Sequence, residues 1–135
     1  MALIEIVRDV RFSQVEAWNR LTDWRRHADF VPLTSIRVTS TGFVARTGVG
    51  RLGFDDPMEI VAFEAPSFCR LEKRGRIVTG WAELSVTPLG DLTRVVWREH
   101  LHVTGMPGFA DGLTIALSRK LFSRVIDGLL SAAAG

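Results

Sequence analysis

The 135-residue chain contains no tyrosine and one cysteine, Cys69. A single thiol excludes an intramolecular disulfide framework and a cysteine-based zinc site. No apolar run reaches the roughly 18 residues of a transmembrane helix. The opening Met-Ala-Leu-Ile-Glu has neither the basic start nor the long apolar stretch of a signal peptide. Repeats, low-complexity tracts and linker-like stretches are also missing. What remains is ordinary for a globular protein: 47% hydrophobic and 24% charged residues exclude intrinsic disorder, collagen and coiled coil. The expectation is one cytoplasmic domain spanning residues 1–135.

Charge of one sign is lacking too. Lys and Arg number 17 against 15 Asp and Glu, a net charge of +2, and only Lys73 and Lys120 are lysines. Nucleic-acid binding wants an excess of base on one face, so that function is not expected. The one basic cluster, Arg70-Leu-Glu-Lys-Arg-Gly-Arg76, reads as a solvated strand end and turn.

Local patterns give the order of elements. Residues Leu3 to Val10 alternate as a strand. Ser13 is a helix N-cap with Glu16 in the capping-box position, and Val15, Trp18 and Leu21 recur at helical spacing. A second short helix is expected from Trp24 to Asp29, ending at Phe30-Val31-Pro32 because proline disfavours helix in the residue before it. From Thr34 to Gly105 short alternating segments follow one another between turn signals, as in an antiparallel sheet. The expected strands are Ser35–Ser40, Phe43–Leu52, Pro57–Glu64, Phe68–Arg74, Val78–Thr87 and Thr93–Thr104, with Asp55-Asp56-Pro57 among the breaks. After Met106-Pro107-Gly108 an apolar stripe runs from Phe109 through Leu113, Leu117, Leu121 and Phe122 to Leu130 on one long helix. Only that helix can cover the concave face of the sheet, so the fold class is α+β.

This order is that of a helix-grip fold, with a curved antiparallel sheet of about seven strands around a long C-terminal helix. Val15-Glu-Ala-Trp-Asn-Arg-Leu-Thr-Asp-Trp24 resembles the first helix of the polyketide cyclase/dehydrase and lipid-transport superfamily, which includes the START-related domains. Phe30-Val31-Pro32 resembles the step after its second helix, seen also in the coenzyme Q-binding branch. Glu64-Ala-Pro66 with Arg70-Leu71, and Thr93-Arg-Val95-x-Trp97, are similar to further motifs of that superfamily. The resemblance covers nearly the whole chain and implies a deep cavity between sheet and helix, holding a small hydrophobic ligand: a lipid, polyketide or isoprenoid-like compound. Binding is the first reading; the alternative is a polyketide aromatase/cyclase or dehydratase-type enzyme with Glu99 and His27 as acid–base groups, and the further alternative is a protein-interaction module without a ligand. Two departures weigh against the cyclase. The middle strand offers Met58, Ile60 and Ala62 where cyclases place polar side chains, and there is no tyrosine to hydrogen-bond a polyketide.

The residues assigned to the cavity are Trp24, His27 and Phe30 near the second short helix, and Met58, Ile60 and Ala62 on the middle strand. The last strand adds Trp97, Glu99 and Leu101, and the C-terminal helix adds Phe109, Leu113, Leu117 and Leu121. Glu99 stands out, because a carboxylate on an apolar face must find a partner, raise its pKa or reach water. A structural pair with an arginine is the competing account, and Arg46 and Arg70 are candidates to point inward. His100 and His102 alternate on the face opposite Glu99, with no third metal ligand at suitable spacing, so no metal is expected. Cys69 reads as a small buried apolar residue. Gly48-Val-Gly50-Arg-Leu-Gly53 spells GxGxxG without the strand-to-helix context of a nucleotide loop, and no cofactor is expected.

Overall fold

The computed structural model describes residues 2–49, 51–105 and 107–131, so Gly50 and Met106 lie outside the described residues. β1 (Ala2–Val10) leads into α1 (Gln14–Leu21), α2 (Trp24–His27) and a 3₁₀ turn at Ala28–Phe30. Then come β2 (Thr34–Val38), β3 (Gly42–Val49), β4 (Leu52–Glu64), β5 (Phe68–Arg74), β6 (Val78–Leu89) and β7 (Leu92–Val103). A second 3₁₀ turn, Gly108–Ala110, precedes α3 (Asp111–Ser131). The strands form one antiparallel sheet in the order β1-β7-β6-β5-β4-β3-β2. It curls into a half-barrel around the C-terminal half of α3, a helix-grip arrangement of class α+β.

Period-two alternation decides which side chains the sheet buries. One inward row runs Ile6, Trp97, Leu84 and Cys69 and ends on Phe63, which packs edge-on against Trp18 but stays half exposed. The next runs Ile4, Glu99, Ala82, Leu71, Ile60, and the third Leu101, Gly80, Lys73, Met58, Phe43. On α1, Ala17, Trp18 and Leu21 are buried while Val15 is exposed. Ser13 accepts the Glu16 N–H as expected of an N-cap, and the Glu16 carboxylate turns to Arg20 at 2.9 Å.

Three sequence-based expectations are corrected. Asp55-Asp56-Pro57 is not a break: β4 runs straight through it, with Pro57 opposite Val44. Proline is tolerated because the Ile60 N–H points to Thr41 beside β3, so by alternation the Pro57 nitrogen faces β5. Pairing with β5 starts only at Met58. Second, an irregularity between Ile60 and Ala62 inserts Val61 and flips the phase, so Ala62 pairs with outward-facing Arg70 and leaves the cavity. Third, α3 is fully buried only in its C-terminal half. Val125, Ile126, Leu129 and Leu130 are buried against β1 and α1 and Ile115 packs partly against the core, whereas Leu113 and Leu117, and Phe109 in the 3₁₀ turn before the helix, are exposed and outside the cavity wall.

Phe30 also moves from its assigned place. Its ring lies against Gly128 of α3, where a Cβ would collide with it, so Phe30 seals the 3₁₀ turn onto the helix instead of lining the cavity. Glycine to alanine inside a helix ordinarily stabilises by about 1 kcal/mol. Here Gly128→Ala should destabilise by about 1–3 kcal/mol through overpacking. Urea denaturation checks this, and the Gly128→Ala, Phe30→Ala pair should show strong non-additivity because the clash is relieved.

Candidate functional site

Between the concave face and α3 lies a cavity of about 330 Å³. Its walls are mainly apolar: Ile36, Phe43 and Met58 on one side, Leu101 and Trp97 behind, and Leu121, Phe122 and Val125 from α3. Thr34 at the start of β2, Thr47 on β3, Val78 at the start of β6 and Ser118 on α3 also belong to the lining, and the space is partly open to solvent. Leu33, Leu52 and Phe109 are exposed, at 67%, 85% and 92%, and none of them lines the cavity.

Of the residues assigned from sequence, the structure brings His27, Met58, Trp97, Glu99, Leu101 and Leu121 together on this wall. Trp24 stands behind it, stacked on Phe43 with ring centroids 5.0 Å apart. Ile60 packs against the core without reaching the cavity wall. Phe30, Ala62, Phe109, Leu113 and Leu117 do not reach it either. Arg46 and Arg70 face outward, paired with Asp55 at 3.0 Å and Glu83 at 3.1 Å. His100 also faces out, stacked on Trp81. Gly48 and Gly53 oppose each other in the β3–β4 hairpin, with no helix after them.

The partner of Glu99 is a lysine. Buried Lys73, from β5, donates to Oδ2 of Asp56 on β4 at 3.0 Å, and its Nζ lies 3.6 Å from Oε1 of Glu99. All three line the cavity. Gly80, at φ 131°, sits opposite Lys73, where a Cβ would collide with the His100 carbonyl. The row there carries no side chain to compete with the lysine. The accounting is lopsided: Oδ1 of Asp56 and both Glu99 oxygens are buried without a hydrogen-bond partner, as is the Trp97 indole N–H.

Electrostatics follow from that enclosure. Burial pushes the Glu99 carboxyl up to about 7, with Lys73 pulling it down and Asp56 adding to the rise. Burial alone would lower the Lys73 amine, but Glu99 and Asp56 together outweigh it and keep it raised, hence an ammonium. His27 donates from Nε2 to the Leu21 carbonyl at 2.8 Å; burial holds it below its ordinary value, so the ring is neutral with Nδ1 unprotonated. The Cys69 thiol is pushed up to about 11 by burial and is no nucleophile.

Sequence reasoning missed Lys73 and Asp56. The signal for Lys73 was present in the alternation Cys69-x-Leu71-x-Lys73, which puts it on the buried face. Among the described residues no group of histidine, cysteine and carboxylate side chains is placed to hold a metal. No described helix is long and apolar enough to cross a membrane.

Solved structures share this architecture. A START superfamily protein from Mycobacterium smegmatis superposes with a TM-score of 0.77 at 10% identity, over 96% of this chain and 97% of that one. XoxI from Bacillus cereus gives 0.71 at 15% identity, over 96% and 94%. DynU16, a protein of the dynemicin biosynthetic locus, gives 0.61 at 19% identity, over 97% of this chain but 48% of its own. No family model and no curated protein matches the sequence. The chain therefore has the START-like helix-grip fold, on structure and not on sequence identity.

Glu99 has its folded pKa raised above the ordinary 4.5, so the unfolded chain loses that proton first. Its contribution to stability is complete below about pH 4.5 and is lost as pH rises through about 7. His27, shifted down, gives a slope of opposite sign that is common to wild type and variant. Comparing wild type with Glu99→Gln by urea denaturation should show wild type losing a few kcal/mol relative to the variant from about pH 5 to about pH 8. A difference constant with pH would mean that folding leaves Glu99 unshifted.

Proposed function

We propose that this protein binds or carries a small hydrophobic molecule in the cavity between its sheet and α3. What supports this reading is a mainly apolar-walled space of about 330 Å³, within the range of small-molecule sites. A core built only for stability would close such a space, since interiors pack to crystal-like density. The fold shared with a START superfamily protein supports the same reading.

An uncharged apolar dye such as N-phenylnaphthylamine should bind saturably, one per chain, and perturb Trp97 fluorescence. Ala45→Trp, which fills the cavity from β3, should weaken that binding at least about tenfold while the protein stays folded. Absence of saturable binding to a natively folded wild-type protein would end this reading.

One observation favours a second reading, acid–base catalysis on a polyketide or similar carbonyl compound. Glu99, at about 7, is suited to exchange a proton at neutral pH. If turnover of such a compound is found, Glu99→Gln should lower kcat by about 10²–10⁴-fold with little change in KM. A variant that turns over normally would leave binding alone.

A further inference from the structure

We propose that the cavity selects apolar molecules that bring a hydrogen-bond-donating head, an ammonium above all, to the Asp56–Lys73–Glu99 cluster, and that it rejects fatty carboxylates. This rests on the cavity-binding reading and adds the chemistry of the guest's polar end.

The cluster holds two carboxylates and one ammonium, so with both acids ionised it carries one negative charge in excess. That excess sits inside an apolar enclosure, where an uncompensated charge is costly. Burying such a triad is a poor way to stabilise a fold, because apolar residues of similar volume commonly do as well or better. Its hydrogen bonding is also one-sided. Lys73 spends one donor on Asp56, which leaves Asp56 Oδ1 and both Glu99 oxygens as buried acceptors without donors. Against these three acceptors the wall holds one unpartnered buried donor, the Trp97 indole N–H, so the cluster is short of donors and of positive charge. An alkyl ammonium brings both and forms charge-assisted hydrogen bonds with the free oxygens. An alcohol brings one donor. A carboxylate brings a second unwanted charge and no donor.

The titratable groups lining the cavity are Lys73 from β5, Asp56 from β4, Glu99 itself from β7 and His27 from α2. The described residues of α3 in the wall are Ser118, Leu121, Phe122 and Val125, which bring no charge. β1 and β6 place Ile4 and Ala82 beside Glu99. Protonating Glu99 therefore removes the excess charge, and amine affinity should weaken below neutral pH.

The test compares decylamine, decanol and decanoate by calorimetry and Trp97 fluorescence on the full chain, below their micellar concentrations. The expected order is amine, then alcohol, then carboxylate, with at least about tenfold between the first and last, the amine alone weakening from about pH 8 to about pH 5.5. Glu99→Gln should erase the advantage of amine over alcohol while alcohol binding persists. Asp56→Asn gives a second variant with the same expected direction should Glu99→Gln not fold. Decanoate binding as tightly as decylamine to wild type, or an unchanged order in a folded variant, would overturn the selectivity while leaving the binding reading intact. Failure of all three to bind the folded protein would overturn both.

Discussion

The Lys73 ammonium, held between Asp56 and Glu99 on a concave face that is otherwise almost wholly apolar, constrains the rest of the structure. Three strands must keep register for it to exist. β5 supplies the lysine, β4 and β7 the carboxylates, and β6 passes between them with Ala82 and Gly80, side chains small enough to leave the lysine room. A slip of one residue in any strand would send its member of the cluster to the opposite face and leave the remaining charges buried and uncompensated, at several kcal/mol. The cluster thus penalises wrong registers of the sheet, even though it adds little to the stability of the right one.

The outer face handles charge in the opposite manner. Glu5, Arg98, Glu83 and Arg70 form a row across four strands, with Arg98 3.4 Å from Glu5 and Arg70 3.1 Å from Glu83. Arg94 pairs with Asp9 directly opposite, and Arg46 with Asp55. Exposed pairs of this kind contribute little each. Their consequence is that many arginines already have carboxylate partners on the sheet surface. The near-neutral net charge is therefore spread over that surface as local pairs.

Most of the architecture was legible because it rests on periodicity. Alternation placed β1, β5, β6 and β7 and the inward direction of Glu99, and the switch back to helical spacing placed α3. The failures share a physical cause: local pattern says which face a residue occupies, but not what lies opposite it. Leu113 and Leu117 carry the stripe of α3, yet both are exposed and neither reaches the cavity wall. Ala62 alternates correctly until the extra residue Val61 reverses the phase, and nothing in Glu59 to Ala62 announces an irregularity. Asp55-Asp56-Pro57 has the composition of a turn, but its missing N–H falls beyond the end of the β5 ladder, so the strand continues and Asp56 turns inward. Lys73 was concealed by its company. In a run with Arg70, Arg74 and Arg76 it reads as solvated charge, although its neighbours two and four residues back, Leu71 and Cys69, are buried.

The cavity gathers its charge at one place in an otherwise mainly apolar wall. Asp56, Lys73 and Glu99 lie together on β4, β5 and β7, while Leu121, Phe122 and Val125 of α3 face the same space with apolar side chains. The fold itself produces this separation, because the sheet supplies the cluster and the described part of α3 in the wall brings no charge. A guest seated with its polar head at the cluster would leave its tail among Leu121 and Phe122. Burying that tail against them would remove apolar area from water at about 25 cal/mol per Å². The reverse orientation would put the polar head against apolar side chains and leave three buried acceptors unfilled.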